Sequence, residues 1–137
     1  MMSLRHIGIV VRDIDESLDF YQMLGYKVVA DVQEDGKFID EILGLYNVKL
    51  RTIKMKQSNH MVELLYYENP IPDDNFKRVN FVGCTHFAVT VDDIDELYGD
   101  LITKGVDFIR EPISNGKVKV AFCKDPNDVY IELVEEL

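Results

Sequence analysis

The stretch His6-Ile7-Gly8-Ile9-Val10-Val11-Arg12-Asp13-Ile14-Asp15-Glu16 recurs later in the chain as His86-Phe87-Ala88-Val89-Thr90-Val91-Asp92-Asp93-Ile94-Asp95-Glu96. The two copies align without a gap from His6 to Tyr26 against His86 to Val106, at a constant offset of 80. The head His, Val11/Val91, Asp13/Asp93, Ile14/Ile94, Asp15/Asp95, Glu16/Glu96 and the terminal Gly25/Gly105 are identical across that window. Residues 4–11 are β-branched and apolar, the pattern of a strand buried on both faces. Asp13 with Glu16, and Asp93 with Glu96, then read as capping boxes that open helices. Ile14, Leu18, Tyr21 and Leu24 in the first copy, and Ile94, Leu97, Tyr98, Leu101 and Ile102 in the second, follow at helical spacing. A left-handed glycine stops each helix.

Beyond each helix the pattern turns to strands. In the first half these are expected at 26–32, 50–55 and 61–67, with Ser58-Asn59-His60 as a turn and His60 as a solvated turn residue. In the second half they are expected at 106–110, 118–123 and 129–134, separated by Asn115-Gly116 and by Asp125-Pro126-Asn127-Asp128. Between Gln33 and Asn47 the period is lost. Phe38 to Gly44 reads there as a short helix, either a cover or a plain surface loop. Each half is thus strand, helix, three strands, and a module this short does not close its own core. The expected class is α+β: two tandem βαβββ modules, 1–67 and 84–137, joined by a Pro- and Asp-rich linker over 68–83. They should pair into a curved, cup-shaped, eight-stranded mixed sheet with helices outside, within one chain or across a dimer.

The totals bound the function. In 137 residues, 47% hydrophobic, no run approaches the roughly 18 apolar residues of a membrane span, and no signal pattern opens the chain. A cytoplasmic protein without membrane association is expected. A net charge of −10 opposes attraction to a nucleic-acid backbone. Lys49, Arg51, Lys54 and Lys56 crowd one segment, and Lys117 and Lys119 another; they read as solvated strand faces, or as local steering for an anionic substrate. Cys84 and Cys123 fit no metal or redox spacing and read as two reduced, buried thiols.

Chemistry enters with four residues. Glu63 and Glu132 each stand in an otherwise apolar last strand, where an unpaired carboxylate costs several kcal/mol. His6 and His86 stand at the head of each module's first strand. Four polar residues at equivalent positions of a repeat are best explained together, as one metal site. Two imidazoles and two carboxylates form an N₂O₂ set suited to one divalent ion (Ni, Co, Mn, Fe or Zn). By period two, Tyr67 and Tyr130 share a strand face with the glutamates and are expected to line the substrate cavity. Arg51 reads either as a surface strand residue or, if it faces that cavity, as the group that holds a substrate carboxylate or thioester tail.

Taken with the helix entries, Phe20-Tyr21-Gln22-Met23-Leu24-Gly25 and Asp125-Pro126-Asn127-Asp128-Val129-Tyr130-Ile131-Glu132-Leu133, these residues resemble the vicinal oxygen chelate superfamily. That group includes glyoxalase I, methylmalonyl-CoA epimerase, extradiol dioxygenases and fosfomycin- and bleomycin-resistance proteins. The resemblance runs from His6 to Glu135. It places His6, Glu63, His86 and Glu132 on all four ligand positions of the glyoxalase I-like members, whereas dioxygenases and fosfomycin-resistance enzymes are matched at His6, His86 and Glu132 only. Epimerases tend to carry an amide where Glu63 stands. The resemblance therefore implies a metal-dependent, homodimeric lyase or isomerase acting on a small vicinal-oxygen substrate, a hemithioacetal or acyl thioester, through an enediolate. Glu132 would move the proton, with Glu63 second. The alternatives are an extradiol-type ring-cleaving dioxygenase and a non-enzymatic sequestering protein. The Arg and Asn with which bacterial glyoxalase I enzymes hold glutathione are Val10 and Tyr67 here, so the implied chemistry does not bring glutathione with it. The usual D-P-D-G turn reads D-P-N-D.

Overall fold

A computed structural model describes residues 1–75 and 77–137; Phe76, in the stretch expected as linker, lies outside the described residues. The chain is α+β and divides into two compact units, Met1–Asn75 and the stretch that runs on to Leu137. The boundary falls inside the expected linker, but the first unit takes more of that segment than its composition suggests. Its last strand continues to Asn69, and Asp74 is held to it by Arg12, with Nη2 and Oδ1 2.9 Å apart. Among the described residues no helix is long and apolar enough to cross a membrane.

In the first unit, β1 (Ile7–Val10), α1 (Ile14–Met23), β2 (Lys27–Asp35), α2 (Lys37–Leu43), β3 (Lys49–Gln57) and β4 (His60–Asn69) form a four-stranded mixed sheet in the order β1-β4-β3-β2. Asp13 caps α1 as its spacing implies, accepting from the Glu16 amide at 3.0 Å. Gly25 ends that helix at φ 95°, in the region where a side chain is strained. It is also sterically pinned, because a Cβ there would stand 2.7 Å from the Gln57 amide nitrogen, the group that donates to the Leu24 carbonyl.

The two faces of this sheet differ. Ile9, Ile53, Met55, Val62 and Leu64 are buried on one, the face served by α1, which packs on β4 through Phe20 and Tyr21. The other face carries Gly8, Val10, Thr52, Lys54, Glu63, Leu65 and Tyr67, as register and strand alternation require. Val10 is 45% exposed there, so β1 is buried on one face and not on both. The aperiodic insertion resolves into an extension of β2 to Asp35 and the helix α2. Through Ile39 and Leu45 this insertion packs on Leu50, Leu65 and Tyr67. It therefore covers one end of the Glu63 face. Asp40 anchors the segment by accepting from the Val48 amide at 2.8 Å.

The second unit repeats the plan with β5 (His86–Thr90), α3 (Ile94–Thr103), β6 (Asp107–Phe108), β7 (Ile113–Ser114), β8 (Val118–Lys124) and β9 (Tyr130–Glu136). Its sheet has five strands in the order β5-β9-β8-β6, with β7 also on β8. The strand expected over 106–110 is only two residues long. Pro112 follows, which cannot donate to a ladder, and the chain rejoins β8 as the separate β7, so the described residues hold nine strands where eight were expected. Asp93 caps α3 through the Glu96 amide at 2.9 Å.

The two thiols differ from the expectation that both are buried. Cys84 is exposed and Cys123 is fully buried. Burial pushes the Cys123 thiol up from 9.0 to about 12 and the buried Tyr26 hydroxyl from 10.0 to about 12. Both groups keep their protons in the folded chain where the unfolded chain loses them. Their contribution to stability is therefore complete below about pH 9 and is lost as pH rises towards 12. We expect a thiol reagent near pH 8 to label Cys84 at once and Cys123 only in denaturant. We also expect the urea midpoint to fall progressively above pH 9. Immediate labelling of both thiols would contradict this burial.

Candidate functional site

In each unit the first and last strands are parallel neighbours, β1 on β4 and β5 on β9. This topology brings the His at the head of each module beside the Glu near its end. In the first unit Gly8 pairs with Glu63; His6 immediately precedes β1 and sets its Nε2 3.0 Å from Glu63 Oε1. In the second unit Ala88 pairs with Glu132, and His86 Nε2 stands 3.4 Å from Glu132 Oε2. A small residue lies beside the glutamate both times. At Gly8 the room is tight, since a Cβ would meet Leu65 Cδ1 at 3.3 Å.

The pairs differ in their surroundings. Glu63 is 8% exposed, and its second oxygen faces the Lys54 ammonium at 3.8 Å. The Glu132 side chain is 25% exposed. Its cross-strand partner is Phe122, whose ring meets the His86 ring edge-on, with centroids 5.4 Å apart. Thr85 Oγ1 lies 3.4 Å from the other His86 ring nitrogen, Nδ1, so a neighbouring hydroxyl can orient the imidazole.

The spacing within each pair suits chelation. Nitrogen and oxygen ligands at roughly 2.0–2.2 Å from one ion lie about 2.9–3.4 Å from each other, which the 3.0 and 3.4 Å separations match. Both histidines present Nε2 to the carboxylate. Each unit thus holds two ligand-type groups as a half-set, and among the described residues no three or more His, Cys, Asp or Glu side chains gather as a metal site.

Arg51 does not belong to this face. The register opposes it to Tyr66 and Lys54 to Glu63, so Arg51 stands on the α1 side of the sheet. There it makes a two-pronged pair with Asp31, at 3.0 and 2.7 Å. That bond holds the Asp31 carboxyl below its ordinary range, and the expected grip on a substrate tail is withdrawn. Tyr67 does stand on the Glu63 face, packed against the Ile39–Leu50 cluster. Burial, and secondarily the charge of Glu34, raise its hydroxyl pKa, so it remains a donor. Tyr130 is 9% exposed and pairs in register with His86. His60 is a fixed residue and not a solvated one: the Tyr26 hydroxyl lies 2.6 Å from its Nε2.

Lys54 was legible in the sequence only as one member of a basic crowd. Its signal was the two-residue turn at Ser58-Asn59, which sets Gln57 opposite His60 and, three pairs on, Lys54 opposite Glu63.

The family model for the glyoxalase/bleomycin resistance protein/dioxygenase superfamily matches residues 3–133. The chain belongs to that superfamily. Among its members, a lactoylglutathione lyase of Schizosaccharomyces pombe is 32% identical over 147 residues, covering 97% of this chain and 47% of its own length. The chain thus spans about half the length of that relative. A lactoylglutathione lyase of Escherichia coli O157:H7 is 28% identical over 138 residues, covering 98% of this chain and 93% of its own. In three dimensions, the crystal structure of a glyoxalase family protein from Bacillus cereus superimposes with a TM-score of 0.90 at 22% identity, covering 100% of this chain and 95% of that one. Superfamily members bind a divalent metal and act on small molecules. The approach of His6 to Glu63 at 3.0 Å and of His86 to Glu132 at 3.4 Å puts imidazole nitrogen beside carboxylate oxygen, donor types that suit such an ion, in each unit.

Proposed function

We propose that this chain is a metal-dependent, glyoxalase-like lyase or isomerase acting on a small substrate with vicinal oxygens, a hemithioacetal or an acyl thioester. The observation that carries the reading is the repeated His–Glu pair, at one register position in both units and at ligand spacing in each. His6, Glu63, His86 and Glu132 would together hold one divalent ion, with both pairs drawn from one chain or from the two chains of a homodimer. Such an ion would supply Lewis acidity to two neighbouring substrate oxygens.

The work left to the chain is proton transfer at the adjacent carbon, and the two carboxylates are unequal for it. Glu63 is the more buried and has a cation-capable group facing each oxygen. Glu132 is more exposed, faces His86 at a longer distance with no other ion pair among the described residues, and has a phenyl ring as its cross-strand neighbour. Glu132 is therefore the better proton carrier, and Glu63 the more firmly held ligand. Tyr67 and Tyr130 would stand as hydroxyl-bearing walls. The net charge of −10 argues against a nucleic-acid partner, and a cytoplasmic location suits a substrate of this kind.

Stripping the protein with chelator and titrating it with Co(II), Ni(II) or Zn(II) should give one ion per set of two His–Glu pairs. His6→Ala and His86→Ala should each weaken that binding more than 100-fold, beyond the 10–100-fold typical of outer-shell changes. A panel of aldehyde–thiol adducts, CoA thioesters and catechols then reads the reaction, with ring cleavage under Fe(II) favouring a dioxygenase. A preparation that binds no divalent ion under any loading would falsify the proposal.

A further inference from the structure

We propose that Lys54 and Thr52 form an oxyanion subsite beside Glu63, so that the substrate carries a carboxylate next to its chelating oxygens; this rests on reading the His–Glu pairs as metal ligands. The first observation is an internal comparison. Both units build the same strand hairpin around their glutamate. In the first, Lys54 opposes Glu63 and Thr52 opposes Leu65; in the second, Phe122 opposes Glu132 and Val120 opposes Val134. The fold is therefore satisfied by apolar residues at both positions. A Lys and a Thr there answer a need other than the strand pairing itself.

The second observation is that neither group is used up. Lys54 Nζ lies 3.8 Å from Glu63 Oε2, near enough for charge attraction and too far for a hydrogen bond, and an ammonium has three protons to donate. Thr52 is 2% exposed, and among the described residues its hydroxyl has no hydrogen-bond partner. A buried hydroxyl without a partner carries a desolvation penalty, and this one stands on the Glu63 face one alternation from Lys54. Beyond it lie Leu50, Leu65 and Tyr67 under Ile39, so the charged end of the face is Lys54 and the far end is apolar.

The third is charge. Two carboxylates balance a divalent ion, and Lys54 then leaves the centre one positive charge in excess within a strongly acidic chain. That excess selects a monoanion. A substrate whose carboxylate adjoins its chelating carbonyl or hydroxyl oxygen, of the 2-oxo or 2-hydroxy acid class, places an anionic oxygen within reach of Lys54, with the Thr52 hydroxyl as a second donor.

Calorimetric titration of the Co(II)-loaded protein with pyruvate and with the neutral dicarbonyl 2,3-butanedione tests this, with the cobalt visible spectrum recording ion binding separately. Lys54→Met should weaken pyruvate binding about 10–100-fold, the range for a hydrogen bond to a charged group, while leaving butanedione binding unchanged, both compared at saturating Co(II). Lys54→Arg should recover pyruvate binding to within a few-fold. Thr52→Val should weaken pyruvate binding several-fold while raising the thermal midpoint, because the methyl needs no partner. Equal pyruvate affinity in Lys54→Met and the parent, with Co(II) bound in both, overturns the subsite and leaves the metal reading intact. An equal loss of butanedione and pyruvate affinity in Lys54→Met does the same. Failure of the parent protein to take up Co(II) brings down the metal reading and this inference with it.

Discussion

Glu132→Gln is expected to keep its fold and its ion and to lose turnover by about 10²–10⁴-fold, the usual contribution of a positioned proton carrier. The amide retains an oxygen able to face His86 but cannot take up a proton. Glu63→Gln should behave differently. Its carboxylate is the more buried, lies 3.0 Å from His6 and attracts Lys54, so its neutralisation should weaken ion binding first and lower turnover mainly through that loss. Turnover on the active member of the substrate panel, measured at saturating metal, separates the two. If Glu132→Gln stays within threefold of the parent while Glu63→Gln is silent at full metal occupancy, the roles assigned to the two carboxylates are reversed.

Leu64→Ala is expected to lower the unfolding free energy by about 2–5 kcal/mol, read as a drop in urea midpoint at unchanged slope. Leu64 is 0% exposed and lies in register between Ile9 of β1 and Ile53 of β3. It sits in the centre of the α1-facing layer, where neighbours on both sides are also fully or nearly fully buried and cannot collapse into the gap. Its neighbour in sequence, Glu63, points the other way, so the loss should fall on stability and leave ion affinity per folded molecule unaltered. A change below about 1 kcal/mol would mean that the layer between α1 and the sheet is not close-packed. Thr52→Val, at a buried position on the opposite face of the same sheet, should act in the other direction because it removes a hydroxyl without a partner among the described residues.

Much of this was legible in the residues. The two Asp caps and the glycine helix ends follow from patterns contained in single stretches, the repeat and the equivalent places of the His and Glu residues from comparing the two halves, and the structure reproduces the caps, the helix ends and the repeated plan. What the sequence reading missed depends on how strands align with one another. Arg51 alternates plausibly within its own strand, and only its pairing with Tyr66 and not with Glu63 shows that it faces α1. The strand over 106–110 failed because Pro112 interrupts its ladder with β8, which an apolar run does not reveal. His60 looked like a turn residue because its partner, Tyr26, is 34 residues away. The insertion after Gln33 was harder still, since the apolar residues of α2 point both ways: Ile39 inward, Phe38 and Ile42 outward.

The hairpin at Ser58-Asn59 carries one more consequence. Ser58 adopts φ 52°, and the two residues between Gln57 and His60 set the parity of every pair beyond them. One inserted residue would leave β4 two options. It could absorb the extra residue as a bulge and keep Lys54 opposite Glu63, or pass the shift along the strand, which would oppose Ile53 to Glu63 and turn a carboxylate towards Ile53 and Met55. The turn can therefore exchange its residues for others that accept a positive φ, but it cannot change their number, and a spacer two residues long decides which side of the sheet carries Glu63.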